Sequence, residues 1–375
     1  MEFLHQMTGN AVELLKGMIA IPSISFGEKG VADFLYSHLC ERAERLNEAI
    51  GKKGKLIVER VANNLIVYKD DFSPMKKTLM LNSHIDTVEP SAAYTFDAFS
   101  PFEKDGKVYG LGSNDDGGSV VSQTAAFFYL NGERIGREAA DPEDLNVNLM
   151  LVLTAEEERS GKDGMSRFVE EFHLQPDCAI IGEPTGMEAA IAERGLLVID
   201  GRAEGISGHA ARNEGVNALY IALDDIARLR EYKFEKKSPV MGDVKMTVTQ
   251  LNCGTAHNVV PCEATFVVDI RPTEQYSNPE IMELLQNEVK STLVARNLKN
   301  RSSATPQDGI LMDTVKKLGI ATQISATTSD WMKFPREAVK MGPGVSARSH
   351  KADEFICIDE ISAAIEGYIN FIKNI

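Results

Sequence analysis

The 375-residue chain carries 55 Asp and Glu against 40 Lys and Arg, a formal charge of -15, which argues against a nucleic-acid backbone or an anionic membrane surface as partner. Its 43% hydrophobic content is that of an ordinary globular protein, and the length favours two domains over one. The five cysteines, Cys40, Cys178, Cys253, Cys262 and Cys357, show no C-x-x-C spacing and are read as reduced and mostly buried; with neither a leader pattern nor a bilayer-length apolar run, a cytoplasmic location is expected.

In chain order, Val12, Leu15, Met18 and Ile19 recur at helical spacing until Pro22, and a second amphipathic helix is predicted over Lys29 to Leu46, with His38 at the edge of its apolar face. Leu56 to Val58 and Leu65 to Tyr68 read as a hairpin, followed by a buried strand over Thr78 to Leu81 that ends in Ser83-His84-Ile85-Asp86. A glycine-rich turn, Tyr109 to Gly118, then opens a helix over Ser119 to Leu130. It is not a phosphate loop, because it lacks a terminal Lys-Ser/Thr and places two aspartates where an anion would sit. Asn131 to Leu145 is expected to be a surface excursion, Val147 to Leu153 a buried strand running into Thr154-Ala155-Glu156-Glu157-Glu158, and Cys178 to Ile181 a strand running into Gly182-Glu183-Pro184-Thr185.

Between Met187 and Asn300 the texture changes. Ala189 to Ala203, Val244 to Leu251 and Pro261 to Ile270 read as strands, and Val216 to Arg230 and Pro279 to Leu298 as helices, an order suited to a small sandwich with helices on one face of a sheet. Helix returns over Gly309 to Leu318, a strand over Glu337 to Met341 ends in Gly342-Pro343-Gly344, and a helix over Ile361 to Ile372 closes the first domain. The expected architecture is α/β: a discontinuous mixed-sheet domain (1–186 and 301–375) with helices on both faces, plus an inserted ferredoxin-like α+β domain (187–300).

Three strands in succession end in an imidazole or a carboxylate, where open α/β sheets place their ligands. If the chain stays extended past His84, Asp86 projects the same way. Such a pair suits a metal-bound histidine fixed by an acidic neighbour, although a strand-end histidine capped by a turn aspartate fits that stretch equally well. Asp115 is the better metal candidate of its pair, Asp116 being ordinarily a helix cap. Together His84, Asp115, Glu157, Glu158, Glu183 and His350 make a mixed imidazole and carboxylate set that suits zinc or cobalt rather than calcium or magnesium. If one aspartate bridges, the set holds two ions about 3.5 Å apart and leaves one glutamate to take a proton from water.

These residues fall in motifs that resemble the M20 family of metallopeptidases and deacylases. They are S-H-x-D at Ser83 to Asp86, G-x-G-x-x-D at Gly110 to Asp115, T-A-x-E-E at Thr154 to Glu158, G-E-P-T at Gly182 to Thr185, G-H-A-A at Gly208 to Ala211, and G-P-G followed by H-K-x-D-E at His350 to Glu354. The resemblance implies His84, Asp115 and Glu183 on one metal, and Asp115, Glu158 and His350 on the other. It further implies Glu157 as general base, Asp86 behind His84, and His209 acting across a homodimer on the developing oxyanion. Asn258 and Arg271 match substrate-binding positions, with Arg271 holding a carboxylate through a fork. Where many relatives have D-M-K-G, this chain has Asp115-Asp116-Gly117-Gly118, which costs no ligand but weakens transfer of fine specificity. The late H-K-A-D-E-F segment is most similar to acetylornithine deacetylases of arginine biosynthesis. The expected activity is therefore hydrolysis of a small N-acyl amino acid with two divalent ions, zinc first and cobalt second. N-succinylornithine, N-acetylcitrulline and succinyl-diaminopimelate are alternative substrates, a carboxypeptidase or dipeptidase is an alternative activity, and an inactive metal-binding dimer is a remote one.

Overall fold

A computed structural model describes residues 2–50, 54–134 and 139–375. Two compact units emerge, one of Met1–Ile191, Thr305–Gln323 and Ser329–Ile375, the other of Ala192–Ala304 and Ile324–Thr328. In chain order the elements are α1 (Glu2–Ile19), α2 (Lys29–Ile50), β1 (Leu56–Val61), β2 (Asn64–Lys69), β3 (Lys77–His84), α3 (Gly118–Leu130), β4 (Val147–Thr154), α4 (Met165–Glu171), β5 (Cys178–Ile181) and β6 (Ala189–Glu193). There follow β7 (Leu197–Glu204), α5 (Ala218–Glu231), β8 (Lys245–Cys253), β9 (Glu263–Arg271), α6 (Asn278–Glu288) and β10 (Thr292–Ala295), then α7 (Ile310–Leu318), β11 (Glu337–Lys340) and α8 (Ile358–Lys373).

The sheet of the first unit runs in the order β1-β2-β4-β3-β5-β11-β6. It is mixed: β3 is parallel to both β4 and β5, and β11 to β5, while β1, β2 and β4 pair antiparallel. Successive side chains of a strand point to opposite faces, and this sheet is apolar on both. Leu65, Val67, Leu79, Leu81, Leu149, Leu151 and Ile180 pack with α1, α2, α3 and α8. Their alternates Ile66, Met80, Met150, Val152, Ala179 and Ile181 pack with Met165 and Phe168 of α4 and with Trp331. A strand buried on both faces reads as an unbroken apolar run, which is why β3, β4 and β5 stand out in the sequence. Truncating a fully buried residue here, as in Leu151→Ala, costs about 2–5 kcal/mol.

The second unit carries a four-stranded sheet in the order β8-β9-β7-β10, with a strand-helix-strand-strand-helix-strand chain order. Ala218 and Ala222 of α5 and Ile281 and Leu285 of α6 share one core with Leu197, Ile199, Phe266 and Val268 of the sheet. Two expectations need correction. The single strand expected over Ala189 to Ala203 is two, β6 and β7, which belong to different sheets. The helix expected to reach Leu298 stops at Glu288, and Thr292–Ala295 forms β10 against β7. Beyond Glu288 the chain is captured by Asp225, whose carboxylate accepts the N–H groups of Lys290 and Ser291 and the Ser291 hydroxyl. Those bonds replace the ones a continuing helix would make, and the following Thr-Leu-Val suits a strand.

The cysteines also differ from expectation. All five are free, but only Cys178 is fully buried, Cys262 is exposed and the others are half-buried. Of the expected surface excursion, residues 135–138 lie outside the described residues.

Candidate metal centre

The register of the parallel strands gathers the site. His84 is the partner of Thr154, and Asn82 is the partner of Ile181, so the residues that follow β3, β4 and β5 emerge side by side at one edge of the sheet. The Ile85 N–H extends the pairing by donating to the Thr154 carbonyl at 2.8 Å. His84 is 3% exposed. Its Nδ1 lies 3.0 Å from the main-chain carbonyl of Asp86, which can only accept, so Nδ1 carries the proton and Nε2 is the nitrogen turned to Asp115 Oδ1 at 3.2 Å.

The Asp86 side chain does more than sit behind His84. Its Oδ1 is 3.5 Å from His84 Nδ1 and accepts the Glu157 N–H at 3.0 Å. Its Oδ2 accepts the Glu158 N–H at 3.2 Å and the Ser25 hydroxyl at 2.7 Å.

Asp115 comes from the glycine-rich turn. Gly112 has φ 76°, and a Cβ there would lie 2.6 Å from Thr87 Cγ2, so both backbone sign and space require glycine. Within the turn Ser113–Gly117, Asp115 itself is extended, with φ -124° and ψ 96°, and the Asp115-Asp116 peptide is cis. Asp116 does not cap the helix, as its residue type had suggested; Gly117 holds the N-cap position, and Asp116 is buried, which pushes its carboxyl up to about 7.

Glu157 and Glu183 are 9% and 8% exposed. Ligand atoms of His84, Glu157 and Glu183 lie within 4.8 Å of one another, as do those of His84, Asp115 and Glu158. His350, at φ 60°, brings Nε2 to 3.0 Å from Glu158 Oε1 and 3.7 Å from Asp115 Oδ2. All six expected residues therefore converge. Glu157 stands with His84 and Glu183, and His84 also stands with Asp115 and Glu158, so His84 belongs to both groups.

The electrostatics suit cations. Burial opposes protonation of His84, but the Asp115 and Asp86 carboxylates outweigh it and hold the imidazole well above its usual range. Burial pushes Glu157 and Glu183 well above the carboxylate range, and each is raised further by a neighbouring carboxylate, Glu183 for the first and Asp115 for the second. The Lys340 ammonium stands 3.7 Å from Glu183 Oε2. An Nε2 lone pair 3.2 Å from a carboxylate oxygen, amid buried acids, is satisfied either by protonation or by an ion between them, and the mixed nitrogen and oxygen donors fit a divalent ion.

Two further groups have no role assigned from the sequence, Asp330 and the Glu354 that ends the H-K-x-D-E motif. Asp330, 2% exposed, accepts the Thr154 hydroxyl at 2.6 Å beside the end of β4. Glu354, also 2% exposed, accepts three main-chain N–H groups of the Asp115 turn. The motif marks Glu354 without saying what it binds; nothing local marks Asp330.

The other expected residues lie in the second unit. His209 is exposed on a two-residue strand paired with Val259–Val260, its Nδ1 accepting the Ala211 N–H at 3.2 Å. Asn258 is exposed, and its carbonyl accepts the Ala210 N–H. Arg271 closes a fork on Asp269 of its own strand, at 2.9 and 3.1 Å.

The model of peptidase family M20/M25/M40 matches residues 80–374, a span containing every ligand candidate above. The chain belongs to this family. M20 enzymes are hydrolases with dinuclear metal centres that act on small peptides or acyl-amino acids, and this member carries the side chains for such a centre. It is 26% identical over 380 residues to a succinyl-diaminopimelate desuccinylase of Polynucleobacter necessarius, covering 93% of this chain and 95% of that one. It is 28% identical over 298 residues to an acetylornithine deacetylase of Salmonella arizonae, covering 74% and 75%. Its fold is similar to that of the Bacillus subtilis YXEP protein, a dinuclear metal binding M20 peptidase, with TM-score 0.68, 13% identity and 98% of each chain covered. Among the described residues, no helix of this M20 member is long and apolar enough to cross a membrane.

Proposed function

We propose that this M20 member removes a short acyl group from the amino nitrogen of a small amino acid, with N-acetylornithine as the leading substrate, giving acetate and ornithine in arginine biosynthesis. The observation that carries the reading is the convergence of His84, Asp115, Glu157, Glu158, Glu183 and His350 at one sheet edge. The H-K-A-D-E-F segment and the deacetylase relative favour acetylornithine.

Of these residues, His84, Asp115 and Glu183 would hold one divalent ion and Asp115, Glu158 and His350 the other. When bound, the ions would polarise the substrate carbonyl and make a water more acidic; zinc suits the donors best, with cobalt next. Glu157 takes the proton of the attacking water and passes it to the leaving amine, a task for which a buried, raised carboxyl is suited. Asp86 fixes both participants, His84 from one side and the Glu157 main chain from the other.

The remaining roles follow the family resemblance. Arg271, exchanging Asp269 for a substrate carboxylate, and Asn258 bind the amino-acid end. His209 serves the active site of a second copy of the chain. A homodimer through the second unit is supported by β8, an edge strand with mostly exposed side chains, and by exposed Ile206, Val216, Tyr220, Leu223 and Val259. The domain division 1–186 with 301–375, and 187–300, and a cytoplasmic location complete the proposal.

Succinyl-diaminopimelate is the second reading, because the desuccinylase relative covers nearly the whole chain. The deciding experiment is turnover of N-acetylornithine, N-succinylornithine, N-acetylcitrulline and N-succinyl-diaminopimelate, side by side, with zinc and with cobalt. The proposal expects the highest kcat/KM on N-acetylornithine. Preference for a succinyl substrate would move the assignment to that acyl group, and turnover of dipeptides alone would replace it.

A further inference from the structure

We propose that Glu354 is a positioning residue that sets Asp115 between the two ions by holding the main chain of its turn. This rests on the metal-centre reading above. The turn from Gly110 to Gly117 contains glycines at φ 147° and 76° and an extended Asp115; its own bonds, from the Ser113 N–H to the Gly110 carbonyl and the Gly117 N–H to the Gly112 carbonyl, leave the N–H groups of Gly112, Asn114 and Asp115 to another acceptor. That acceptor is a residue about 240 positions away. Glu354 Oε2 accepts the Gly112 N–H at 3.0 Å, and Oε1 accepts those of Asn114 and Asp115 at 2.8 and 2.9 Å. Its own carbonyl accepts the Gly110 N–H at 3.0 Å. Four anchor points, at Gly110, Gly112, Asn114 and Asp115, thus run from one buried residue along the turn.

The same short segment carries His350, so the anchor ties together two side chains expected on one ion. Asn114 strengthens the tie: its side chain accepts the Val345 N–H at 3.0 Å and donates to the Val345 carbonyl at 3.2 Å. Asp353 turns the other way, at φ 57°, and accepts the N–H and hydroxyl of Thr95 at 2.8 and 2.9 Å, so the segment is held on its outer side as well. A carboxylate accepting several N–H groups is a strong, directional clamp. Buried N–H groups that lose such an acceptor must find another, and a glycine-rich turn does so by moving. Asp115 moves with it. Asp115 would serve both ions, but the ion it shares with Glu158 and His350 would draw two of its side chains from the tied segments, so that ion is weakened more and fills second.

The test is cobalt binding to metal-free protein, followed by calorimetry and by visible absorption, for wild type, Glu354→Gln, Glu354→Asp and Asp115→Asn. Glutamine places an amide N–H against the turn's own N–H groups. Glu354→Gln should leave the first equivalent near wild-type affinity, weaken the second by about 10–100-fold, alter the cobalt spectrum, and lower kcat with little change in KM. Glu354→Asp, one methylene short, should fall between. Two ions bound with wild-type affinity and spectrum by Glu354→Gln would overturn the proposal, even if its melting temperature falls, because a merely structural role predicts that pattern. Should Glu354→Gln not fold, Glu354→Asp decides by the same readouts. Asp115→Asn separates the two claims: unchanged metal binding in that variant removes the metal-centre reading itself, whereas loss there with retention in the Glu354 variants removes only the positioning role.

Discussion

The Asp86 carboxylate accepts the main-chain N–H of Glu157 at 3.0 Å, so the residue two positions beyond His84 also holds the segment bearing the expected base. Its second oxygen accepts the N–H of the next residue and the Ser25 hydroxyl. Asp86→Asn should therefore disturb more than His84, since an amide must turn its NH2 toward one of these donors. We expect kcat to fall by about 10–100-fold with a comparable weakening of metal affinity. Steady-state kinetics with metal analysis checks this, and a variant within twofold of wild type in both would refute the role.

Glu157 poses a sharper choice, because its oxygen lies within ligand distance of His84 and Glu183. As a base, Glu157→Gln should lower kcat by about 10²–10⁴-fold while the protein keeps two ions. As a ligand, the same change should release one ion. Metal content measured beside kcat discriminates, and retained turnover would remove Glu157 from both roles.

The sheet was legible in the sequence because β3, β4 and β5 are buried on both faces and so read as apolar runs ending abruptly in polar residues. The end of α6 was not. Nothing between Pro279 and Leu298 signals that Asp225, more than sixty residues earlier, takes the N–H groups of Lys290 and Ser291. Asp116 misled for a related reason: an acid before a helix ordinarily caps it, and only the backbone of the turn turns this one inward. The role of Glu354, although it ends a recognised motif, is not legible because its partners are backbone groups far along the chain, which carry no side-chain signature.

Burial, followed by the charges of Arg42 and Arg45, pulls His38 from 6.5 down to about 4. Above pH 6.5 the ring is neutral whether folded or unfolded, and it contributes no pH dependence. As pH falls toward 4, the unfolded chain binds a proton that the folded one refuses, so stability is lost. With the ring only partly shielded, the loss is on the order of 1–2 kcal/mol. Subtracting the pH profile of His38→Gln from that of wild type in urea melts should reveal it between pH 6.5 and 4. Parallel profiles would show that His38 does not titrate this way.

The central claim is that these converging side chains hold the ions on which hydrolysis depends, and metal removal tests it most directly. Protein chelated until elemental analysis finds no zinc or cobalt should lose turnover of N-acylated amino acids, and two equivalents of zinc per chain should restore it. Undiminished hydrolysis by metal-free protein would contradict the account.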